Sequence, residues 1–134
     1  MALKMELKGV KFGVGDKIRV VQRIKEGEKS REAYFEGMVI GIKGREAGKT
    51  FTVRKIAEGN VGVERIFPFE LPSIERIVLV KEGTRGVRRA KLYFTRSKAP
   101  TEVEMIHKRA AVRTSFKLAK KTGSIKSATK KADK

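Results

Sequence analysis

Short segments between residues 15 and 94 alternate large apolar side chains with polar or small ones. They read KIRVVQRIK, AYFEGMVIGIKG, KTFTVRKIAEG, NVGVERIF and VRRAKLYFTR, and a further segment, SIERIVLVKEG, is apolar on both faces. A period of two is typical of half-buried strands, because successive side chains of a strand point to opposite faces. Glycines and prolines between the segments indicate turns. The pattern predicts a mainly β protein with five to six antiparallel strands in a small barrel or sandwich.

Two of these segments lead to specific predictions about which side chains share a face. In AYFEGMVIGIKG, Met38, Ile40 and Ile42 should lie on one face and Val39 on the other. Successive side chains of a regular strand point to opposite faces, which gives this arrangement.

The last segment, VRRAKLYFTR, is predicted to form a strand with two chemically different faces. Leu92 and Phe94 would point to the core, whereas Arg89, Lys91 and Tyr93 would share the outer face. Cations interleaved with an aromatic ring can hold phosphates and stack on a base or a ribose. The same pattern also fits cations that simply face water, so both interpretations remain open.

The positions of glycine and proline, together with the change in composition after residue 96, divide the chain into three regions. Residues 1–14 are expected to form an arm leading into a turn at Gly15-Asp16. Residues 15–96 should form the barrel, and residues 97–134 a basic helix with a flexible tail.

The change of character after residue 96 predicts a helix. Pro100 precedes Thr101, and Glu104 follows three positions later, which is the pattern of a capping box. Gly123 is the expected stop. The small, polar and basic residues 124–134 should be disordered in the free protein.

The charge of the chain indicates its class of partner. Thirty-three Lys and Arg stand against 15 Asp and Glu, a net charge of +18 on 134 residues. Residues 95–134 alone carry 12 of the cations and three of the acids. Such a surplus weakens a compact fold through self-repulsion, unless a polyanion neutralises it. Nucleic acid, with one phosphate per nucleotide, is therefore the first partner to expect.

Several other classes of function have little support in the sequence. The chain has no Cys, one His (His107) and only scattered acids, so an acid–base or metal site is not expected, and no cofactor is predicted. The segment GREAGKT has three residues between its glycines where a phosphate-binding loop needs four. No apolar run approaches the roughly 18–20 residues of a membrane span, and no signal peptide is recognisable. We therefore expect a cytoplasmic protein without a membrane partner.

The segments GDKIRV, FEGMVIGIKG, TFTVRKI, GVERIFPF, SIERIVLV and VRRAKLYF together resemble bacterial-type ribosomal large-subunit protein nineteen, in order and in spacing. The resemblance implies an SH3-like barrel that binds large-subunit rRNA at the subunit interface, as a monomer within the ribosome. It also implies an inter-subunit bridge to small-subunit rRNA, and neighbours among the large-subunit proteins numbered three and fourteen. The positions that it implies as rRNA contacts are Arg54, Lys55, Arg65, Arg88, Arg89, Lys91 and Tyr93.

Further RNA-binding candidates come from the charge pattern itself. Arg109, Arg113 and Lys117 recur every four residues on the predicted helix, a spacing that can follow a phosphate backbone. The remaining candidates lie in the glycine-containing loop, beside the last predicted strand and further along the helix: Lys43, Arg45, Lys49, Arg85, Arg96, Lys120 and Lys121.

The resemblance leaves some of the chain unexplained. About forty residues follow the KLYF segment, more than the family usually has. We expect this extension to lengthen the rRNA contact, because its charge matches that task. Two other functions remain open: a free-standing nucleic-acid-binding regulator on the same barrel, and a barrel that recruits proteins while its tail contacts acidic membranes. The second would need an apolar helix stripe, which Val103, Ile106 and Ala110 only begin.

Overall fold

The computed structural model describes residues 3–83 and 87–132, except for the side chains of residues 120–132. The elements are β1 (Lys4–Leu7), β2 (Val10–Gly13), β3 (Lys17–Glu26), β4 (Lys29–Lys43), β5 (Thr50–Ile56), β6 (Gly62–Pro68), β7 (Ile74–Lys81) and α1 (Pro100–Ala132). The strands pair antiparallel in two sheets, one of order β1-β2 and one of order β6-β5-β4-β3-β7. The prediction of a mainly β, barrel-like fold with a C-terminal helix is confirmed.

The first strands form a hairpin that belongs to the core. Lys8 and Gly9 connect β1 to β2 with φ angles of 52° and 78°, the left-handed backbone that two-residue hairpins favour. Met5 and Leu7 of β1 and Phe12 of β2 are buried in the main apolar cluster. The region predicted as an arm therefore supplies part of the core.

A turn at Gly15-Asp16 ties this hairpin to the far end of the sheet. Gly15 has a φ of +99°, and the carbonyl oxygen of Gly83 lies 3.1 Å from the position that a Cβ would take at Gly15. The buried Asp16 carboxylate accepts hydrogen bonds from the backbone N–H of Gly13 at 2.9 Å and of Gly83 at 2.7 Å. The turn predicted here is present, and its carboxylate holds two distant segments together.

A bulge in β4 changes which side chains face the core. The pairing of β4 with β5 passes from Val39 directly to Gly41, so Ile40 has no partner in the register. Val39 and Ile40 are both fully buried, whereas Met38 is only half-buried. The prediction that Met38 and Ile40 share a face opposite Val39 is wrong, because the extra residue reverses the alternation.

Four phenylalanines form the centre of the core. The rings of Phe12 and Phe51 meet edge to face at 5.3 Å between centroids, and those of Phe51 and Phe67 stack at 5.4 Å. Phe35 meets Phe67 edge to face at 5.8 Å. These rings join the N-terminal hairpin to β4, β5 and β6, and such pairs contribute beyond the area that they bury.

The sixth predicted strand is absent from the described structure. Residues 87–92 are irregular, and Tyr93–Ser97 form a short 3-10 helix. The Thr95 hydroxyl donates to the Leu92 carbonyl at 2.7 Å, a local bond that competes with strand pairing. Leu92 is buried as predicted, and its N–H donates to the carbonyl of the bulged Ile40. A backbone hydrogen bond at Leu92, and not a ladder of strand pairing, thus connects this segment to β4.

The helix α1 differs from its prediction at both ends. Pro100 is its first residue, a position where a missing N–H costs nothing, so Thr101 lies inside the helix instead of capping it. The predicted stop at Gly123 is wrong, since α1 continues to Ala132 and takes in most of the predicted tail. One glycine costs only about 1 kcal/mol relative to Ala, which does not end a helix rich in Ala and Lys. No helical segment in the described part of the chain combines the length and the hydropathy that a membrane span requires.

Candidate nucleic-acid interface

Glu64 on β6 holds two of the predicted RNA-binding arginines. Its Oε1 accepts from Nη1 of Arg54 at 3.0 Å and from Nε of Arg96 at 2.8 Å, and its Oε2 accepts from Nη2 of Arg96 at 2.7 Å. The Arg96 hydrogen bonds lead in holding the pKa of Glu64 below its usual range, and Arg54 adds to the effect. Arg54 and Arg96 therefore have a structural partner inside the protein, which lowers their availability to phosphate.

Arg65 and Lys55 lie instead over aromatic rings. The Arg65 guanidinium carbon is 5.4 Å from the ring centroid of Phe35 and 5.0 Å from that of Phe67. The Lys55 ammonium nitrogen is 4.7 Å from the centroid of Phe35. Cation–π contact fixes both side chains on neighbouring strands while Arg65 stays exposed, so its donors can reach an external anion.

Tyr93 is at the centre of a third cluster. Arg96 lies 4.5 Å and Lys43 5.9 Å from its ring centroid. A Cβ at Gly41 would lie 3.5 Å from the Tyr93 hydroxyl oxygen and 3.8 Å from Lys91 Cγ, so this glycine on β4 lies directly beneath both side chains. The structure thus brings Lys91 and Tyr93 together, although they do not lie on a strand.

The loop between β4 and β5 is separate from these clusters. A short 3-10 helix, Glu46–Gly48, occupies it, and Glu46 has a φ of 49°. Arg45 is exposed and Lys49 is half-buried. Lys43, which was predicted to lie on this loop, is the last residue of β4. Contact of these cations with RNA stays a prediction.

A groove runs between the segment 87–98 and the helix α1. Its volume is about 490 Å³. No acidic residue is among the described residues that line it, and the floor is apolar, with the buried Leu92 and the half-buried Phe94 and Ile106. We call it the basic groove, and its exposed cations are Arg88, Arg89, Lys98, Arg109 and Arg113.

The acids of the sheet have partners elsewhere. Arg19 donates two hydrogen bonds to Glu36 across β3 and β4, at 2.9 and 2.7 Å, and Lys17 approaches the same carboxylate at 3.1 Å. Arg23 pairs with Glu75 in the same way across β3 and β7. These acids neutralise cations of β3, whereas the described residues that line the basic groove include cations and no acid.

His107 lies on the face of α1 that is turned toward the barrel. It lines both the basic groove and a second groove of about 520 Å³ formed with β4, β5 and the end of β7. Its Nε2 is buried and has no hydrogen-bond partner among the described residues. Burial lowers the pKa of this imidazole, and the nearby Lys81 lowers it further. Within the part of the chain that is described, no cluster of three or more His, Cys, Asp or Glu could hold a metal.

Not every predicted site residue joins a cluster. Lys117 is exposed on α1 and does not line the basic groove. Arg85 lies outside the described residues, as do the side chains of Lys120 and Lys121. Lys98 was not predicted, although it is a cation in the segment immediately before the helix, and that position is the signal that could have identified it.

Most of the chain matches a known protein family, described as Ribosomal protein L19, over residues 2–109. Large ribosomal subunit protein bL19 of Persephonella marina is 55% identical over 87 residues, 65% of this chain and 64% of that protein. The protein of the same name from Kosmotoga olearia is 50% identical over 86 residues, 64% of this chain and 73% of its own length. That of Thermosipho africanus is 50% identical over 94 residues, with 69% and 80% covered. This chain therefore belongs to the ribosomal protein L19 family.

Proposed function

We propose that this protein is a structural constituent of the large ribosomal subunit, in the cytoplasm, and that it acts by binding rRNA. The observation that carries the proposal is the family match over residues 2–109. The relatives are named as large ribosomal subunit proteins, which agrees with a structural role without catalysis.

The charge distribution supports rRNA as the ligand. The sheet acids are paired, whereas Arg65 lies exposed over two aromatic rings and the described residues that line the basic groove include no acid. Phosphates that enter these sites would release counterions, a sequence-independent gain in free energy that weakens with salt. The fold supplies geometry: β6 and α1 hold the cations in fixed positions, so that little ordering is needed on binding.

The finer parts of the proposal are a position at the subunit interface and a role in an inter-subunit bridge to small-subunit rRNA. Large-subunit proteins three and fourteen would be its neighbours, with one copy of this chain per ribosome. The part of α1 beyond the basic groove supports this extension, since the helix continues to Ala132 and carries the exposed Lys117 past the groove.

Sedimentation of cell lysate through a sucrose gradient tests the proposal. The protein should sediment with large subunits and with whole ribosomes at low salt. It should stay there at about 1 M salt, because salt screens charge pairs buried in an RNA interface much less than exposed ones. A protein that remains at the top of the gradient, or leaves the ribosome at modest salt, would support the free-standing regulator instead. For the bridge, subunits lacking the protein should associate less completely than reconstituted ones.

A further inference from the structure

The basic groove has two kinds of lining that a duplex backbone would not use together. Arg109 and Arg113 are one helical turn apart on α1, facing the segment that carries Arg89 and Lys98. Between these rims lies the apolar floor. A nucleic-acid duplex turns its phosphates outward and keeps its bases inside, so it would use the rims and leave the floor without a partner.

The floor is suited to a base or a ribose. Phe94 lies beneath Arg89, whose guanidinium carbon is 5.6 Å from the ring centroid. Ile106 and Ala110 come from the opposite wall, again one helical turn apart. Flat aromatic and guanidinium surfaces with apolar neighbours are the features on which unpaired bases stack.

The rims are suited to a phosphodiester backbone. Lys98, Arg109 and Arg113 form no ion pair with any residue that the structure describes. Lys98 comes from the segment before α1, and Arg109 and Arg113 come from α1 itself. The three charges lie around one groove because α1 packs against segment 87–98, so the site exists only when the helix is docked. The docked helix thereby makes a single site from cations that are separate in the sequence.

We propose that the basic groove binds an unpaired segment of RNA, with one nucleotide on the apolar floor beside the stacked Arg89 and Phe94, and with its flanking phosphates on Lys98, Arg109 and Arg113. The inference rests on the proposed function, because it names the form of RNA that this surface selects. It assigns a single-stranded loop or bulge rather than a helix backbone as the ligand.

Fluorescence anisotropy with the full chain tests this assignment. The probes are a labelled oligouridylate of about ten nucleotides and an RNA duplex of equal length, with tripolyphosphate as a competitor. The single strand should bind more tightly than the duplex. Tighter binding of the duplex, or displacement of the RNA by tripolyphosphate at an equal phosphate concentration, would overturn the assignment in favour of a plain phosphate site.

Matched variants locate the binding. Arg109→Gln with Arg113→Gln should weaken single-strand binding about ten-fold and reduce the slope of log affinity against log salt by about 1.4. Lys25→Gln with Lys29→Gln removes equal charge from the exposed end of the β3–β4 hairpin, outside the groove, and should change affinity about two-fold or less. Equal losses in both pairs would contradict the assignment.

A third variant tests the floor without changing charge. Phe94→Leu should weaken the single strand several-fold and leave the duplex unchanged, and melting curves will establish that each variant is folded. If ribosome sedimentation succeeds while all groove variants bind like the wild type, this inference fails and the proposed function stands. If the groove selects single strands but the protein does not sediment with ribosomes, the proposed function fails instead.

Discussion

The Glu64 carboxylate accepts hydrogen bonds from both Nε and Nη2 of Arg96, at 2.8 and 2.7 Å, and the two residues are 32 positions apart in the sequence. Arg54 donates to the same carboxylate from β5. The pair joins the short 3-10 helix that follows the irregular segment to the edge of the sheet. Two arginines of a strongly basic chain are thus used to fix its own architecture.

Glu64→Gln should lower the free energy of unfolding by about 1 kcal/mol, because the partly buried Arg54 loses its carboxylate partner. The pKa of Glu64 lies below 4.5 in the folded protein, so its contribution is present above pH 4.5 and is lost as the pH falls through the folded pKa. Urea unfolding should therefore show that acidification from neutral pH lowers the free energy of unfolding less in the variant than in the wild type. Glu58→Gln, on a neighbouring exposed turn, is the control and should behave as wild type.

Asp16→Ala should be more damaging, with a cost of about 2–3 kcal/mol. The substitution leaves the N–H groups of Gly13 and Gly83 without the carboxylate that now accepts from both. Thermal unfolding followed by circular dichroism measures the loss, and Asp16→Asn should recover part of it by keeping one acceptor oxygen. An alanine variant with an unchanged melting temperature would show that the Asp16 carboxylate does not stabilise the contact between these two segments.

Gly37→Ala should cost about 1–3 kcal/mol through overpacking. A Cβ at Gly37 would press against the Arg54 carbonyl oxygen, and the carbonyl carbon would be 2.8 Å away, so the backbone of β5 would have to move. Gly48→Ala is the matched control, because a Cβ at that position would have no atom within 4 Å. Denaturant midpoints should fall for Gly37→Ala alone, and equal midpoints would refute the close approach.

Docking of α1 should weaken in mild acid. The pKa of His107 is below 6.5 in the folded protein because of burial and Lys81, so the docked form binds fewer protons than the undocked one. The docked state has its full stability above pH 6.5 and loses it as the pH falls through the folded pKa. Hydrogen exchange at residues 100–111, corrected for intrinsic rates, should report faster opening in acid. His107→Leu should abolish that dependence, and a dependence that persists would exclude His107 as its source.

Arg65→Gln should mainly weaken retention on the ribosome, whereas Arg54→Gln should mainly lower the stability of the fold. Arg65 is exposed and has no acidic partner among the described residues, so its loss should lower the salt concentration that releases the protein from ribosomes. Arg54 is paired with Glu64, so its loss should reduce stability and change retention less. The two variants are compared by salt washing of purified ribosomes and by thermal melting. The reverse ranking would show that Arg54 is the rRNA contact.

Sequence patterning predicted the strands β3 to β6 because each alternates locally and is followed by a turn, and it predicted β7 from an apolar run that ends at a glycine. It missed the N-terminal hairpin, although Met5 and Leu7 alternate and Lys8-Gly9 is a two-residue turn. It misplaced Ile40 because a bulge is a property of pairing with β5 and not of one strand. It also made a strand of residues 87–96, where the local Thr95 hydrogen bond to the Leu92 carbonyl prevails.

The site was predictable in composition but not in arrangement. The sequence identified Arg54 and Arg96 as cations, but only the fold brings Glu64 between them. It identified Arg89 and Arg113 as separate features, and docking of α1 makes them rims of one groove. Contacts between distant segments decide these roles, and local periodicity carries no information about them.

The most direct test of the central claim is ultraviolet crosslinking of the protein to RNA in growing cells, followed by sequencing of the bound RNA. A structural constituent of the large subunit should yield crosslinks concentrated at a few sites of large-subunit rRNA, with a smaller set in small-subunit rRNA if it reaches a bridge. Crosslinks spread over messenger RNAs, or recovery of DNA instead, would contradict the account and identify a free nucleic-acid-binding regulator.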